Sequence, residues 1–149
     1  MKALLNTSTY DYFKKDFADK GIIDILLDIV QNNKDNALDM REMAFNIISN
    51  ISKDCRANQK EFRRKGGIEI IKENLAYSEV DQSGNASTFL LAVLDCLNNA
   101  VFGNKRSELH FLDIEGVYVL LDLIENAEYS LKRLTLSSLC TILENNKSF

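Results

Sequence analysis

The sequence predicts an all-α protein built as an α-solenoid, in which similar helical units stack on one another. Two observations support this fold class. The 149 residues include no proline and no tryptophan, while leucine and isoleucine are abundant, which favours helices over a turn-rich β-architecture. In addition, one residue pattern occurs three times along the chain. Such self-similarity at a regular spacing indicates repeated units that share one core.

The repeated segment joins a phenylalanine, a glycine and an apolar helical stripe. Its copies are DFADKGIIDILLDIV, EFRRKGGIEIIKENL and HFLDIEGVYVLLDLI, and they align on Gly21, Gly67 and Gly116. Positions 1, 4 and 8 after each glycine are apolar, which is the spacing of one helix face. We therefore expect the following residues to be buried: Ile22, Ile25, Ile29, Ile68, Ile71, Leu75, Val117, Leu120 and Ile124.

A longer helical stripe follows each copy after a polar break. These stripes read DMREMAFNIISNISKD, STFLLAVLDCLNNAVFGN and SLKRLTLSSLCTILENN, and they begin at Asp39, Ser87 and Ser130. Asp39 has capping-box spacing to Glu42, and each serine can accept hydrogen bonds from free backbone N–H groups. We therefore expect Asp39 and the two serines to be N-caps.

The spacings define the predicted units. Successive aligned glycines lie 46 and 49 residues apart, and the extra length falls in the polar stretch of residues 76–87. A unit with a short first helix, a glycine bend and two longer helices cannot bury its apolar faces without neighbours. We predict a single domain over residues 1–149, made of a partial unit at 1–15 and units at about 16–60, 61–109 and 110–149.

The unit pattern resembles the armadillo repeat, in which a short helix precedes G-G-I-x-x-L-V-x-L-L and a third helix ends in A-L-S-N-L. The corresponding third-helix stretches here are FNIISNIS, LDCLNNAV and CTILENNK. The glycine before the second helix and the absence of proline disfavour the related HEAT repeat. The resemblance implies an armadillo-like right-handed superhelix whose third helices line a concave groove.

Within this family, the chain is similar to the armadillo regions of cilia- and flagella-associated proteins of the axonemal central apparatus. The similarity lies in the long second-unit loop, between FRRKGGIEII and LLAVLDCLNNAVFGN, and in the Phe-Leu-x-x-Glu-Gly-Val turn of residues 111–117. It implies a cytoplasmic protein of the cilium or flagellum axoneme. Its role would be to hold other proteins together, with central-apparatus proteins as partners.

The residue content argues against an enzyme. The chain has one histidine, His110, and contains no HExxH motif, no P-loop and no G-x-G-x-x-G fingerprint. The three cysteines lie more than 40 residues apart and form no CxxC pair. We predict no catalytic residue, no cofactor and no metal. Three function classes remain, in order of preference: a protein scaffold, a peptide-binding adaptor, and an enzyme with an unrecognised site.

Charge and hydropathy argue against nucleic acid and membrane as partners. The net charge of -4 disfavours nucleic acid, and the apolar run FLLAVL is too short to span a membrane. The one dense basic cluster is Arg63, Arg64 and Lys65. It is either a solvated turn or a contact for an acidic partner such as a tubulin tail.

Asn50, Asn99 and Asn145 share one register in the third-helix stretches and suggest a peptide-binding adaptor. In armadillo proteins that resemble import adaptors and catenins, such asparagines bond the backbone of an extended peptide, because an amide both donates and accepts hydrogen bonds. The tryptophans that accompany them are replaced here by Asn46, Asp95 and Thr141. The alternative is that these asparagines only terminate helices, where asparagine is common.

The two ends of the chain are out of phase with the repeat. KALLN, residues 2–6, has the character of a third-helix tail. Terminal units of a solenoid need polar outer faces, and six apolar residues at the ends would lack a covering neighbour. These residues are Ile22, Ile25, Ile29, Leu136, Leu139 and Leu143. We therefore expect the chain either to self-associate through its ends when isolated or to be a piece of a longer protein.

Overall fold

The structure, a computed structural model, describes residues 1–31, 38–76 and 85–147, which form α-helices and turns with no β-strand among them. The helices are, in order, α1 (Lys2–Thr7), α2 (Asp11–Asp19), α3 (Ile22–Gln31), α4 (Leu38–Ser52), α5 (Arg56–Arg64), α6 (Gly67–Leu75), α7 (Asn85–Ala100), α8 (Lys105–Asp113), α9 (Gly116–Asn126) and α10 (Tyr129–Asn145). The predicted all-α class is confirmed.

The helices repeat in groups of three. Each group has a nine-residue first helix (α2, α5 or α8), a second helix (α3, α6 or α9) and a longer third helix (α4, α7 or α10). The third helices pack side by side in the order α4, α7 and α10, and α1 packs against α4. The first helices begin five residues before the predicted unit starts. We propose that each unit begins with its first helix.

A left-handed residue bends the chain between the first and second helices of every unit. Gly21, Gly66 and Glu115 have φ values of 69°, 80° and 62°. Glycine adopts this conformation without a steric penalty, whereas a residue with a Cβ is strained there. Glu115 is therefore the exception among the three bends.

The residue after the bend is the first of the second helix, and in two units it must be glycine. A Cβ on Gly67 would overlap the Phe62 ring, and a Cβ on Gly116 would overlap the Phe111 ring. Both phenylalanines are fully buried, so the ring has little room to move away. The two glycines of the Gly66-Gly67 pair thus have separate roles, one in the bend and one in packing.

This geometry corrects the predicted alignment of the first unit. Gly21 corresponds to Gly66 and not to Gly67, because 45 residues separate both this pair and the pair Phe17 and Phe62. The buried face of α3 therefore lies one residue later than predicted. Ile25 is 59% exposed, Ile22 and Ile29 are only partly buried, and the core residues of α3 are Ile23, Leu26, Leu27 and Val30.

The second helices of the other two units agree better with the prediction. Ile68, Ile71 and Leu75 of α6 are buried, as is Leu120 of α9. Val117 and Ile124 of α9 are partly buried and pack against the same core. The glycine alignment was correct for these two units, and so was the buried face that it predicts.

The predicted N-caps are wrong where the structure describes them. Asp39 and Ser130 are the second residues of α4 and α10, and Glu128 is the N-cap of α10 without a side-chain capping bond. Each helix thus includes the polar residue that was predicted to precede it, a difference of the size that is usual at helix ends. The side chain of Ser87 lies outside the described residues.

Exposed large apolar side chains occur only in the first and third units of the described chain. They are Tyr10, Tyr12, Phe13, Ile25 and Met40 in the first unit, and Tyr118, Leu121, Tyr129, Leu136 and Leu143 in the third. Of the predicted end residues, Ile25, Leu136 and Leu143 are exposed, whereas Leu139 is buried. Self-association through these surfaces stays a prediction.

No helix among the described residues combines the length and the apolar content that crossing a membrane requires.

We predict that Gly67→Ala destabilises the protein although alanine favours helices. The better helix propensity contributes about 0.5–1 kcal/mol, whereas forcing a methyl group against the Phe62 ring costs about 1–3 kcal/mol. In a Phe62→Leu background the same substitution should be neutral or stabilising. Urea unfolding of the four proteins in this cycle measures the coupling.

Gly66→Ala is the matched control for that cycle. Its Cβ would meet nothing closer than Glu69 at 3.9 Å, so its cost should come from the left-handed backbone alone. Phe62→Leu should not relieve it. Equal relief of both substitutions by Phe62→Leu would contradict the assignment of separate roles to the two glycines.

Candidate partner-binding surface

Four of the predicted contact residues lie on neighbouring third helices, Asn46 and Asn50 on α4 and Asp95 and Asn99 on α7. We call these four residues the polar row. The three asparagines are half-buried, and Asp95 is exposed. Since α4 and α7 pack side by side, the row runs across the junction of the first two units.

Asn50 and Asn99 make the same kind of bond to the preceding third-helix layer. Nδ2 of Asn50 donates to Oγ of Ser8, just after α1, at 3.1 Å. Nδ2 of Asn99 donates to Oγ of Ser49 on α4 at 2.8 Å. Both serines are fully buried. Each amide therefore joins adjacent helices, which is neither of the two roles considered from the sequence.

The row nevertheless keeps hydrogen-bonding capacity for a partner. Asp95 accepts hydrogen bonds from Ser49 at 2.5 Å and, more weakly, from Asn99 at 3.4 Å, and its side chain remains exposed. The side chain of Asn46 makes no hydrogen bond within the described part of the chain. An amide oxygen has two lone pairs, so Asn50 and Asn99 can still accept while their Nδ2 atoms are engaged.

Asn145 is not brought into this row. Its Nδ2 donates to Oε1 of Glu108 on α8 at 2.7 Å, and not to a serine on the neighbouring third helix. A side-chain hydrogen bond between α7 and α10 is instead made by Ser138, which donates to Asn98 at 3.0 Å. Asn145 thus fastens the end of α10 to the first helix of its own unit.

The basic cluster is divided among three partners in the chain. Arg64 forms two hydrogen bonds with Glu61, at 2.7 and 3.0 Å, and these bonds lower the pKa of the Glu61 carboxyl and raise the pKa of the guanidinium. Lys65 pairs with Asp24 on α3 at 2.8 Å. Arg63 donates to Ser107 on α8 at 3.2 Å. Two of the three cations therefore link one unit to another.

The sequence analysis missed a buried polar network at the ends of the third helices. Its key members are Lys14, Gln59 and Glu108, each the fourth residue of a nine-residue first helix and each less than 9% exposed. These three residues differ in charge, so no common residue type marks the position. The signal that could have found them is the constant spacing from the buried phenylalanine three residues later.

Gln59 shows what this position does. Its Nε2 donates to the carbonyl of Ser52, at the end of α4, at 3.1 Å and to the carbonyl of Asn99, near the end of α7, at 3.0 Å. Its Oε1 accepts from Asn104 at 3.2 Å. The last carbonyls of a helix have no partner within the helix, and here one side chain serves two helices.

Glu108 and Lys14 use other chemistry at the equivalent place. The Glu108 carboxylate accepts from the backbone N–H of Gly103 at 2.7 Å and from the amides of Asn145 and Asn146 at 2.7 and 3.1 Å. Lys14 donates from Nζ to the carbonyl of Lys53, just after α4, at 3.0 Å and pairs with the Asp11 carboxylate at 2.6 Å. A buried charge is tolerated only with such partners.

The side chains with catalytic or metal-binding chemistry are placed separately. Nε2 of His110 lies 2.6 Å from Oε1 of Glu69, which connects α8 to α6. Cys96 is fully buried, and burial raises the pKa of its thiol well above the usual value. Within residues 1–31, 38–76 and 85–147, no three His, Cys, Asp or Glu residues are grouped so as to hold a metal ion.

Comparison with protein families shows to which armadillo family the chain belongs. The whole chain, residues 1–149, matches the family described as cilia- and flagella-associated protein 69, ARM repeat. The chain belongs to this family. No curated protein matches the chain. Membership in this armadillo family associates the chain with cilia and flagella and with protein–protein interaction, and armadillo domains are typically non-catalytic helical scaffolds.

We predict that Asn50→Ala with Asn99→Ala lowers stability by about 1 kcal/mol per site, because each substitution removes a hydrogen bond between helices and leaves a buried serine with one partner fewer. Asn46→Ala is the matched control and should leave the free energy of unfolding nearly unchanged. Urea unfolding distinguishes these cases. An unchanged stability of the double variant would mean that the two amides are free for a partner.

Proposed function

We propose that the chain is a non-catalytic scaffold that holds proteins together in the axoneme of motile cilia or flagella, within the central apparatus. The observation that carries this proposal is the match of all 149 residues to an armadillo family named for cilia and flagella. Armadillo units act through stacked helix surfaces, so the function requires recognition of partners and no chemistry.

The polar row is the surface that we propose for recognition. Asn46 is half-buried without a side-chain partner in the described chain, and Asp95 is an exposed carboxylate beside it in register on α7. An extended peptide could receive hydrogen bonds from the Asn46 amide and donate its backbone N–H groups to Asn50 and Asn99. Asp95 favours a peptide with a lysine or arginine at the corresponding position.

A soluble adaptor that binds such a peptide outside the axoneme is the second candidate function. The Asn46 amide supports the adaptor, because it makes no hydrogen bond in the described chain and so does not stabilise the stack through one, which leaves it available to a peptide. The two candidates share the polar row and differ in the identity and location of the partner. Partner identification in ciliated cells therefore separates them.

The test is affinity capture of the tagged chain from ciliated cells, followed by quantitative mass spectrometry. We expect enrichment of axonemal proteins by the wild-type chain. Asn46→Lys places a cation in the polar row and should lose them. Asn126→Lys is the same substitution at an exposed position near the end of α9 and should retain them.

Two results would count against the proposal. One contradicts the ciliary function, and the other contradicts the choice of binding surface. A partner list without axonemal proteins contradicts the ciliary scaffold and favours the adaptor. Axonemal partners that survive Asn46→Lys contradict the polar row as the binding surface. Circular dichroism of both variants must show native helix content for the comparison to hold.

A further inference from the structure

Four exposed cations lie at the end of α5 opposite to the basic cluster of residues 63–65 and at the start of α8. Arg56 and Lys60 occupy the first two turns of α5, and Lys105 and Arg106 begin α8. All four are exposed, and we call them the basic edge. Within the described residues, none of the four forms an ion pair. Their charges therefore face solvent without compensation.

A hydrogen bond between two buried side chains holds the two parts of the basic edge together. Nδ2 of Asn104, the N-cap residue of α8, donates to Oε1 of Gln59 in α5 at 3.2 Å. Lys60 and Lys105 are the residues that follow these two partners in the chain. Helices that pack against each other, as α5 and α8 do, lie about 8–10 Å apart. The four cations thus form one surface across the junction of the second and third units.

The exposure of this surface is a property of the repeat and does not depend on the ends of the chain. Arg56 and Lys105 are equivalent positions, 49 residues apart in the register of the buried phenylalanines, and Asp11 is their equivalent in the first unit. All three side chains are exposed. Since α5 has a neighbouring unit on each side, stacking leaves this position open to solvent.

The basic edge places positive charge where a helix does not favour it. The N-terminal end of a helix carries partial positive charge, so a carboxylate stabilises it and a cation does not. Asp11 is the first residue of α2, whereas α5 and α8 begin with Arg56 and Lys105. Arg56 and Lys60 also repel each other, because residues four apart are neighbours on a helix surface. Local stability therefore does not account for these cations.

The nearby carboxylates do not neutralise the basic edge. The turns before α5 and α8 contain one carboxylate, Asp54, and Lys53 beside it offsets its charge. Three carboxylates in or beside the first turns already have donors in the chain: Asp11 pairs with Lys14, Glu61 with Arg64, and Glu108 with the amides of Asn145 and Asn146. Lys105 bonds only neutral oxygens at the end of α10, at 3.3 and 2.5 Å, so its charge also stays uncompensated.

We propose that the basic edge binds an acidic, extended segment of a partner protein, in which glutamates or aspartates follow one another closely. An extended chain advances about 3.3 Å per residue, so carboxylates three residues apart span the about 10 Å between α5 and α8. One carboxylate would meet the cations of α5 and the next would meet those of α8. This inference rests on the proposed scaffold function and adds the chemical class of one partner.

A nucleic acid suits this surface less well than an acidic protein segment. Four cations on two helices match only a few phosphates, whereas nucleic-acid surfaces usually gather many. Without these four cations the net charge of -4 would be -8, so the rest of the chain repels a long polyanion. A short acidic segment can contact the basic edge alone.

The test measures binding of a labelled peptide of about ten glutamates, long enough to span both helices, to the full chain by fluorescence anisotropy. Binding should weaken as the salt concentration rises, because the contacts are exposed charge pairs. Replacing Arg56, Lys60 and Arg106 together by glutamine removes three of the four charges. We expect the affinity of this triple variant to fall about tenfold.

A second triple variant is the matched control. Lys2→Gln, Lys20→Gln and Arg133→Gln remove three exposed cations that lie away from the basic edge, and they change the net charge by the same amount. Its affinity for the acidic peptide should fall by less than about twofold. Circular dichroism of both triple variants should show the helix content of the wild-type chain.

Arg56→Asp separates binding from stability. It gives α5 the first residue that α2 has at the equivalent position, where a carboxylate is favourable. We expect the affinity for the acidic peptide to fall about three- to tenfold while the thermal midpoint stays equal or rises. A structural role of Arg56 would lower the midpoint instead.

Four results would overturn the proposal. These are no measurable binding of the acidic peptide, equal loss of affinity in the two triple variants, a lower thermal midpoint of Arg56→Asp, or tighter binding of an oligothymidylate of the same charge. The last result would favour a nucleic acid as the occupant. Each leaves the ciliary scaffold standing, since affinity capture tests that function separately.

Discussion

The structure depends on how the carbonyl groups at the ends of its third helices find partners. These helices end inside the stack, where water cannot reach every carbonyl, and a buried carbonyl without a partner costs about 1–3 kcal/mol. Gln59, the fourth residue of α5, meets this need for both α4 and α7, and Lys14, the fourth residue of α2, donates to the carbonyl of Lys53 just after α4. The Gln59 side chain therefore bonds carbonyls of two successive units and links them.

This constraint explains which features were visible in the sequence. Apolar periodicity and the recurring glycines report the packing of helices within a unit, and they predicted the fold class and the buried faces of α6 and α9. The interactions between units are made by polar residues whose identity changes at each junction: glutamine or glutamate at one position, and Asp24 or Glu69 at another. A pattern based on residue type cannot detect them.

The same reasoning accounts for the errors in the first unit and in the asparagine register. Gly67 is the glycine that packs against a ring and Gly21 the glycine that bends the chain, and a single sequence does not distinguish these roles. Likewise, Asn50 and Asn145 have the same residue type but bond Ser8 in one case and Glu108 in the other. Only the hydrogen-bond partners seen in the folded stack distinguish an asparagine that can bind a partner from one that joins two helices.

Family membership and fold together describe a stack of helical units associated with cilia and flagella and with protein–protein interaction. Several of its buried polar side chains, such as Gln59 and Ser49, join neighbouring units, and hydrogen-bonding capacity remains at Asn46 and Asp95 in the polar row. A rigid stack suits such a role, because partners that bind different units are then kept at a fixed separation.

Hydrogen exchange of a Gln59→Met variant tests most directly whether the units are joined in this way. Methionine keeps the length and the apolar volume of glutamine but cannot donate to the two helix ends. If Gln59 couples the units, amide protection should fall together at the C-terminal ends of α4 and α7, with α9 little changed. Loss of protection confined to α5 would contradict the account.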